Sequence, residues 1–169
     1  MILNNYWAWK EACDRSVISD SGSETTSMID LDGIRVTTFA TIYGNRNWGQ
    51  SYEACSNECF RTHLSHRLSN ENTPISENDY TINNLTGFRN QTTSCICTLV
   101  DGKLNYTFTC GGVNNNTSEQ IITRIGITKS LIQANMSWQA VLMAIVELSE
   151  PITVPPGSGY SIVIEMIEE

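Results

Sequence analysis

The strongest hydrophobic pattern lies near the C-terminal end of the chain. Between Trp138 and Leu148, apolar side chains occupy both sets of alternating positions. A strand that is apolar on both faces is usually buried on both faces. The segment therefore predicts a strand in the centre of a β-sandwich, with Trp138, Ala140, Leu142, Ala144, Val146 and Leu148 on one face and Val141, Met143 and Ile145 on the other.

The residues after this segment predict a turn and a last strand. Glu150-Pro151 ends the buried strand, and the prolines and glycines of 155–159 predict a tight, exposed turn. Apolar residues then recur at every second position, as in a strand with one buried face: Tyr160, Ile162, Ile164 and Met166. We expect the two strands to form a hairpin-like unit that closes a sheet.

The segment from Cys95 to Cys110 contains the clearest local signal. Asp101-Gly102 separates two alternating runs, which predicts a two-residue type I′ hairpin. This loop fixes the register: Val100 faces Lys103, Leu99 faces Leu104 and Cys97 faces Tyr106. We expect one face to be apolar and its cysteines to pack as small core residues: Cys95, Cys97, Leu99, Leu104, Tyr106, Phe108 and Cys110. A Cys95–Cys110 disulfide is the alternative, although the pair is diagonal, at about 7–8 Å in ideal geometry.

Weaker alternation predicts the remaining strands, which lie at Ile34–Ile42, Phe60–Leu68 and Ile121–Thr128. Ser69–Asp79 is polar and is predicted to be a loop. Gly111–Ser118 is also polar and is predicted to be a turn.

The N-terminal segment predicts a short helix followed by a polar arm. Asn4–Cys13 begins with asparagines that can cap a helix, and Asp14–Ser27 is rich in polar residues. Tyr6, Trp7 and Trp9 are too many aromatic residues for a free terminus. The interpretation we favour is that they pack on the domain's own core. The alternative is that they anchor a neighbouring subunit, because Trp and Tyr are enriched in interface hot spots.

Together these elements predict a mainly β protein. The fold class is an antiparallel β-sandwich, jelly-roll or immunoglobulin-like, with a short N-terminal helix. The 169 residues have the length of one domain. We divide them into an N-terminal helix and polar linker arm, residues 1–27, and a β-sandwich domain, residues 28–169.

The net charge of −8 narrows the classes of partner. Nucleic acid and anionic membrane surfaces both need Lys and Arg partners, so neither is an expected ligand. The first residues lack the basic and apolar regions of a signal peptide, and no apolar stretch is long enough to span a membrane. We therefore expect synthesis and folding in a cytoplasm, where the six cysteines stay mostly as thiols.

One set of residues resembles a metal site: Cys55, Cys59, His63 and His66. On a helix their spacing would place all four side chains on one face, where they could ligate zinc. Structural zinc sites usually separate their ligand pairs by a longer loop, and on a strand His63 and His66 would project to opposite faces. The sequence contains no nucleophile elbow and no phosphate-binding glycine loop. We expect no metal, no cofactor and no enzymatic activity.

Several segments form a recognisable series along the chain: Asn4–Trp7, Ser76–Ile82, Ile122–Thr128, and Val141–Met143 with Pro151–Gly157. They resemble, in order, the N-terminus, the T-x-x-D-Y-x-L turn and strand, the V-x-E-I-G-L strand and the LLAR…P-V-T-V-P-x-G closing unit of small virion proteins of tailed bacteriophages, especially gut phages. Together they cover most of the chain. Arg124 and Ala144 depart from this pattern, which has Glu and Arg there.

The resemblance implies a structural role without catalytic residues. The chain would be a multi-copy virion component that decorates the capsid or forms a head-fibre, neck or tail ring. Its partners would be other virion proteins (capsid, portal, neck or tail) and further copies of itself. Its location would be the virion, assembled in the bacterial cytoplasm. Our candidates for subunit contacts are Tyr6, Trp7, Trp9, Trp48, Pro155, Pro156 and Tyr160.

The alternative function is a carbohydrate-binding or host-adhesion module of the same fold. In that case Trp48 and Tyr43, which we expect in an exposed loop, would stack on the sugar rings of a host-surface glycan.

Overall fold

The computed structural model describes residues 1–18, 25–39, 63–101, 103–132 and 138–167. They form a helix, α1 (Asn4–Ile18), and the strands β1 (Thr25–Ile29), β2 (Arg35–Phe39), β3 (Leu64–Ser69), β4 (Phe88–Val100), β5 (Lys103–Asn114), β6 (Gln120–Ile132), β7 (Trp138–Val154) and β8 (Gly159–Ile167). The strands pair antiparallel in sheets of order β1-β2, β3-β6-β7 and β4-β5-β8. The predicted mainly β architecture, a sandwich with a short N-terminal helix, is confirmed.

The main core lies between two three-stranded sheets, which we call the β6 sheet (β3-β6-β7) and the β5 sheet (β4-β5-β8) after their central strands. The β6 sheet contributes Leu68, Ile122, Ile125, Ile127, Val141 and Met143, and the β5 sheet contributes Tyr106, Phe108, Cys110, Ile162, Ile164 and Met166. Helix α1 and the β1-β2 pair add Tyr6, Trp9, Ala12, Met28 and Val36 to the same cluster.

The N-terminal helix is longer and more deeply packed than predicted. It continues to Ile18, beyond the expected end at Cys13, so part of the predicted polar arm is helical. The predicted domain boundary at residue 28 falls inside β1, which begins at Thr25. Because Tyr6 and Trp9 are buried in the main core, the helix and the sandwich form one packed unit.

Strand β7 is buried on both faces at its centre, as predicted. Val141 and Met143 belong to the main core, whereas Leu142 and Ile145 pack in a second cluster on the other side of the β6 sheet. The predicted alternation is wrong beyond Met143, because Ala144 also joins the main core. An irregularity in the β6-β7 register at this point shifts the phase of the following side chains.

The predicted closing hairpin is wrong. Strand β7 continues past Pro151 to Val154 and pairs with β6, whereas β8 pairs with β5 in the opposite sheet. Pro151 does not end the strand because β7 is an edge strand of its sheet, where proline is tolerated.

The turn between β7 and β8 therefore connects the two sheets. The Ser158 amide donates to the Pro155 carbonyl at 3.1 Å, and Gly157 has a φ of 74°. Pro156 and Gly157 thus occupy the positions that a type II turn favours for these residues. Buried Asn114 anchors the turn, because its backbone accepts from the Gly157 amide at 2.8 Å and donates to the Ser158 carbonyl at 2.9 Å.

The β4-β5 hairpin is confirmed, including its register of Val100 with Lys103, Leu99 with Leu104 and Cys97 with Tyr106. Asp101 has a φ of 50°, as the first residue of a type I′ turn requires. Cys95, Cys97 and Cys110 are not joined in disulfides, and the last two are buried, as expected of small core residues. The alternative of a Cys95–Cys110 disulfide is therefore wrong.

The predicted turn at Gly111–Ser118 begins later, because β5 continues to Asn114. A Cβ atom added to Gly112 would lie 2.8 Å from the hydroxyl oxygen of Tyr160. Only glycine, which has no Cβ atom, leaves room here for the Tyr160 ring, and such a close approach is a common reason for glycine within a strand.

The other predicted strands are found with shifted ends. β2, β3 and β6 overlap the expected segments, while 40–42 and 60–62 lie outside the described residues. A turn is present at Ser76–Asp79, where the Asp79 amide donates to the Ser76 carbonyl at 3.0 Å. Residues 79–82 do not form the expected strand, and Ile82 instead packs on the outer side of the β6 sheet.

Candidate functional sites

Three of the predicted contact residues are buried in the domain itself. Tyr6, Trp9 and Tyr160 are 0%, 2% and 9% exposed, which leaves these side chains almost no surface for contact with a neighbouring subunit. The Tyr6 hydroxyl lies 3.1 Å from that of Tyr106, and the Lys129 ammonium lies 5.6 Å from the centroid of the Trp9 ring. These contacts support the interpretation that the N-terminal aromatic residues pack on their own core, with the exception of Trp7.

The remaining predicted contact residues stay candidates. Trp7 is 39% exposed on the outer side of α1, and Pro155 and Pro156 are exposed in the turn between the sheets. Trp48 and Tyr43, the residues expected to bind sugar, lie outside the described residues.

A buried polar network joins β3 to the β5 sheet. His66 on β3 has its Nδ1 atom 2.7 Å from Thr93 Oγ1 and its Nε2 atom 2.7 Å from the Tyr160 hydroxyl. The side-chain amide of Gln91 donates to the same hydroxyl at 3.3 Å. A register shift in β4, where Asn90 has a φ of 53°, places Gln91 beside this pair.

The hydrogen-bond directions in this network follow from its donors. The Gln91 nitrogen can only donate, and it lies 3.4 Å from His66 Nε2 as well as 3.3 Å from the Tyr160 hydroxyl. Nε2 is therefore an acceptor, and the Tyr160 hydroxyl donates to it. Nδ1 of His66 then carries the proton and donates to Thr93, whose hydroxyl donates in turn to the sulfur of Cys110. In this arrangement both ring nitrogens of a neutral His66 have a hydrogen-bond partner.

The titratable groups of this network are neutral at neutral pH. Burial lowers the pKa of His66 to about 4, raises the pKa of Cys110 to about 12 and raises the pKa of Tyr160. A thiol with this pKa supplies no thiolate nucleophile. The network therefore joins the two sheets through hydrogen bonds between neutral groups.

The two histidines of the zinc alternative have different surroundings. His63 is exposed, with its ring 4.6 Å from that of Trp138, whereas His66 belongs to the buried network. Cys55 and Cys59 lie outside the described residues. Among the residues that are described, no group of three or more His, Cys, Asp or Glu side chains is placed to hold a metal ion.

A groove of about 630 Å³ lies over the outer side of the β6 sheet and is lined by Met1, Asn72, Pro74, Ile75, Arg124, Val146 and Glu147. Arg124, one of the departures from the phage pattern, is 4% exposed, and its Nη2 atom lies 3.3 Å from Glu147 Oε1. Its buried Nε atom has no hydrogen-bond partner among the described residues. The Arg124–Glu147 pair links the strands β6 and β7 across this surface.

The outer face of the β5 sheet carries four exposed aliphatic side chains and few charges. It carries Ile96, Val100, Val163 and Ile167, which are 63%, 52%, 62% and 53% exposed. Exposed threonine and serine side chains surround them (Thr92, Ser94, Thr98, Thr109 and Ser161), and the charged residues of the face are Lys103, Glu165 and, near the start of β4, Arg89. We call this surface the outer β5 face.

Sequence reasoning missed the outer β5 face although a signal was present. Val163 and Ile167 occupy the phase of β8 that is expected to be polar in a strand with one buried face. Ile96 breaks the same rule in β4, between two inward-facing cysteines. Apolar residues at these outward positions make the outer β5 face a candidate contact surface.

Comparison with known proteins gives no relative for this chain: no family model, no curated protein and no solved structure matches it. In the part of the chain that is described, no helix is long and apolar enough to cross a membrane.

Proposed function

We propose that the chain is a non-enzymatic structural protein of a tailed-phage virion, present in many copies and assembled by protein–protein contacts. Its place is the capsid surface, a head fibre, or a ring of the neck or tail. The observation that carries this proposal is the outer β5 face, because its four large aliphatic side chains are each more than half exposed. A face of this kind gains free energy when a partner covers it.

The composition of the outer β5 face favours a protein partner. Depletion of charge at the centre of a patch is typical of protein interfaces, and this face has hydroxyl side chains around its aliphatic residues. Its few charged residues, Arg89, Lys103 and Glu165, are of both signs, although the whole chain has a net charge of −8. Binding through this face therefore depends on apolar contact and hydrogen bonds, and we expect it to vary little with salt.

The buried network supports a non-enzymatic role. The histidine of the network is already bonded at both ring nitrogens, and its cysteine is held as a thiol. Proton transfer or nucleophilic attack would require these groups to change charge inside the core, which burial opposes. The resemblance to phage virion proteins, which carry no catalytic residues, points in the same direction.

The proposal is tested by sedimenting the purified chain with purified phage heads and, separately, with purified tails. We expect saturable co-sedimentation with one of them. A variant with Ile96→Asp and Val100→Asp should bind at least about tenfold more weakly, because two carboxylates would have to be desolvated in the contact. The control is Ile34→Asp, whose side chain is 60% exposed in the turn between β1 and β2, away from this face.

Co-sedimentation that is lost in the double variant and kept in Ile34→Asp would support the outer β5 face as the contact. Failure of the wild-type chain to bind heads or tails at any concentration would contradict the virion role. Equal binding by the wild type and the double variant would place the contact on another surface.

A second candidate function is glycan binding, and the exposed ring of Trp138 favours it. The indole is 49% exposed and is held by the neighbouring His63 ring. An exposed aromatic face of this kind can stack on a sugar ring. Binding on a glycan array that is lost in Trp138→Ala and kept in Trp7→Ala would support this function, and an array without signal would remove it.

A further inference from the structure

The edges of the two principal sheets differ in how they are protected. Edge strands present unpaired backbone groups and are usually covered, kinked or shortened. The edge of β7 is covered by the N-terminal residues, where the Leu3 amide donates to the Met143 carbonyl at 3.0 Å. Strand β3 is short, and its edge is partly covered at Leu68, whose carbonyl accepts from the Leu85 amide at 2.7 Å.

Strand β4 is protected at its first half. Its register shifts between Arg89 and Thr92, and Asn90 adopts a positive φ, so the strand is kinked there. Thr93 and Gln91 are also joined to His66 of β3, which closes this corner of the sandwich.

Strand β8 has none of these protections in the described part of the chain. It runs from Gly159 to Ile167 without proline or lysine, and its pairing with β5 is continuous. No described strand pairs with its other side. Val163 and Ile167 are exposed at this edge.

The hydrogen-bond pattern identifies the backbone groups at the open edge. The Asn114 amide donates to the Ser158 carbonyl, whereas the Asn114 carbonyl accepts from the Gly157 amide, so the Ser158 carbonyl at the start of β8 is directed to β5. Antiparallel ladders alternate, and therefore Tyr160, Ile162, Ile164 and Met166 bond to β5. The odd-numbered residues from Gly159 to Ile167 direct their amides and carbonyls to the open side.

We propose that β8 pairs antiparallel with β8 of a second copy of this chain, about a two-fold axis that passes through Val163. The open edge of one copy supplies the donors and acceptors that the other needs, since both present the same set of residues. The two β5 sheets, of three strands each, join into one sheet of six strands. The outer β5 faces of the two copies then lie side by side.

The side chains at the edge select this register. Full overlap of residues 159–167 places Val163 against Val163 of the second copy, so two exposed aliphatic side chains meet at the axis. It also places Ser161 against Glu165 of the second copy, and a serine hydroxyl can donate to a carboxylate. A register centred on Glu165 would set two carboxylates opposite each other, which is unfavourable.

This pairing deepens the proposed function and rests on its multi-copy assembly, but it is tested on the isolated chain. The first measurement is the mass in solution by light scattering or sedimentation. We expect a concentration-dependent dimer of twice 18.8 kDa. Because each copy carries a net charge of −8, dimerisation should strengthen with added salt, which screens their repulsion.

Two pairs of variants test the position of the interface. Val163→Asp should weaken dimerisation by about tenfold or more, because it places two carboxylates opposite each other at the axis. Thr109→Asp is the matched control, since Thr109 is exposed on the same face directly opposite Val163 but in the central strand. Ser161→Lys should strengthen the dimer by pairing with Glu165 of the second copy, and Thr109→Lys controls for the change in net charge.

Dissociation by Val163→Asp together with tighter association by Ser161→Lys supports the pairing. A monomer at all concentrations and salt levels overturns it, and so does a dimer that Val163→Asp leaves unchanged. Dissociation by Ile96→Asp alone would move the interface to β4 and also overturn it. Since no heads or tails are present, these outcomes are independent of whether the chain binds a virion.

Discussion

Trp9→Ala is expected to lower the free energy of unfolding by about 3–5 kcal/mol, the range for removing a large aromatic side chain from a core. Trp9 is 2% exposed. It projects from α1 into the main core, where the Lys129 ammonium lies over its ring. The substitution removes the burial of the indole and leaves a cavity beneath the helix. Urea unfolding of the wild type and the variant measures the effect.

Trp7→Ala is the matched control, because it removes the same side chain two residues away. Trp7 is 39% exposed, so we expect a loss of less than about 1 kcal/mol. Equal effects of the two substitutions would contradict the packing described for α1. Trp7→Ala also tests the remaining N-terminal contact candidate, since reduced incorporation into particles at normal stability would assign Trp7 to a subunit contact.

The free energy of unfolding is expected to fall as the pH is lowered from 6.5 to 4. His66 has a pKa of about 4 in the folded protein because of burial, against 6.5 for an unperturbed histidine. Between these values the unfolded chain binds a proton that the folded chain does not, and the folded state loses stability with every step of acidification. The difference between the two pKa values corresponds to at most about 3–4 kcal/mol of unfolding free energy. Above pH 6.5 this contribution is fully present.

His66→Gln separates this effect from the titration of carboxylates. Glutamine cannot take up a proton in this range, so the difference between the wild type and the variant should change between pH 6.5 and 4 and be constant above 7. Chemical unfolding at a series of pH values measures both curves. Parallel curves for the two proteins would contradict the neutral, buried state of His66.

Local interactions explain which parts of the fold the sequence determined. The β4-β5 hairpin depends on Asp101-Gly102 and the alternating residues around it, and such a turn fixes the register of its strands without help from the rest of the chain. The helix at the N-terminus and the double-sided burial of Val141–Ile145 likewise follow from local patterns. For the same reason the sandwich class was predictable.

The candidate site was less predictable because its residues meet only in three dimensions. His66, Thr93 and Tyr160 are far apart in the sequence, and their contact depends on a bulge in β4 that no local pattern marks. The outer β5 face likewise combines residues of β4 and β8, which are neighbours only through β5.

Sequence by itself determined that the chain forms a β-sandwich with an N-terminal helix, where its tightest hairpin lies and which strand is buried on both faces. Only the tertiary structure decided that β7 and β8 belong to different sheets, since the turn at 155–158 is compatible with a hairpin and with a crossover. It also decided that Tyr6 and Trp9 face inward. Strand partners and the direction of an aromatic side chain depend on non-local packing free energy, which a local pattern of residues does not contain.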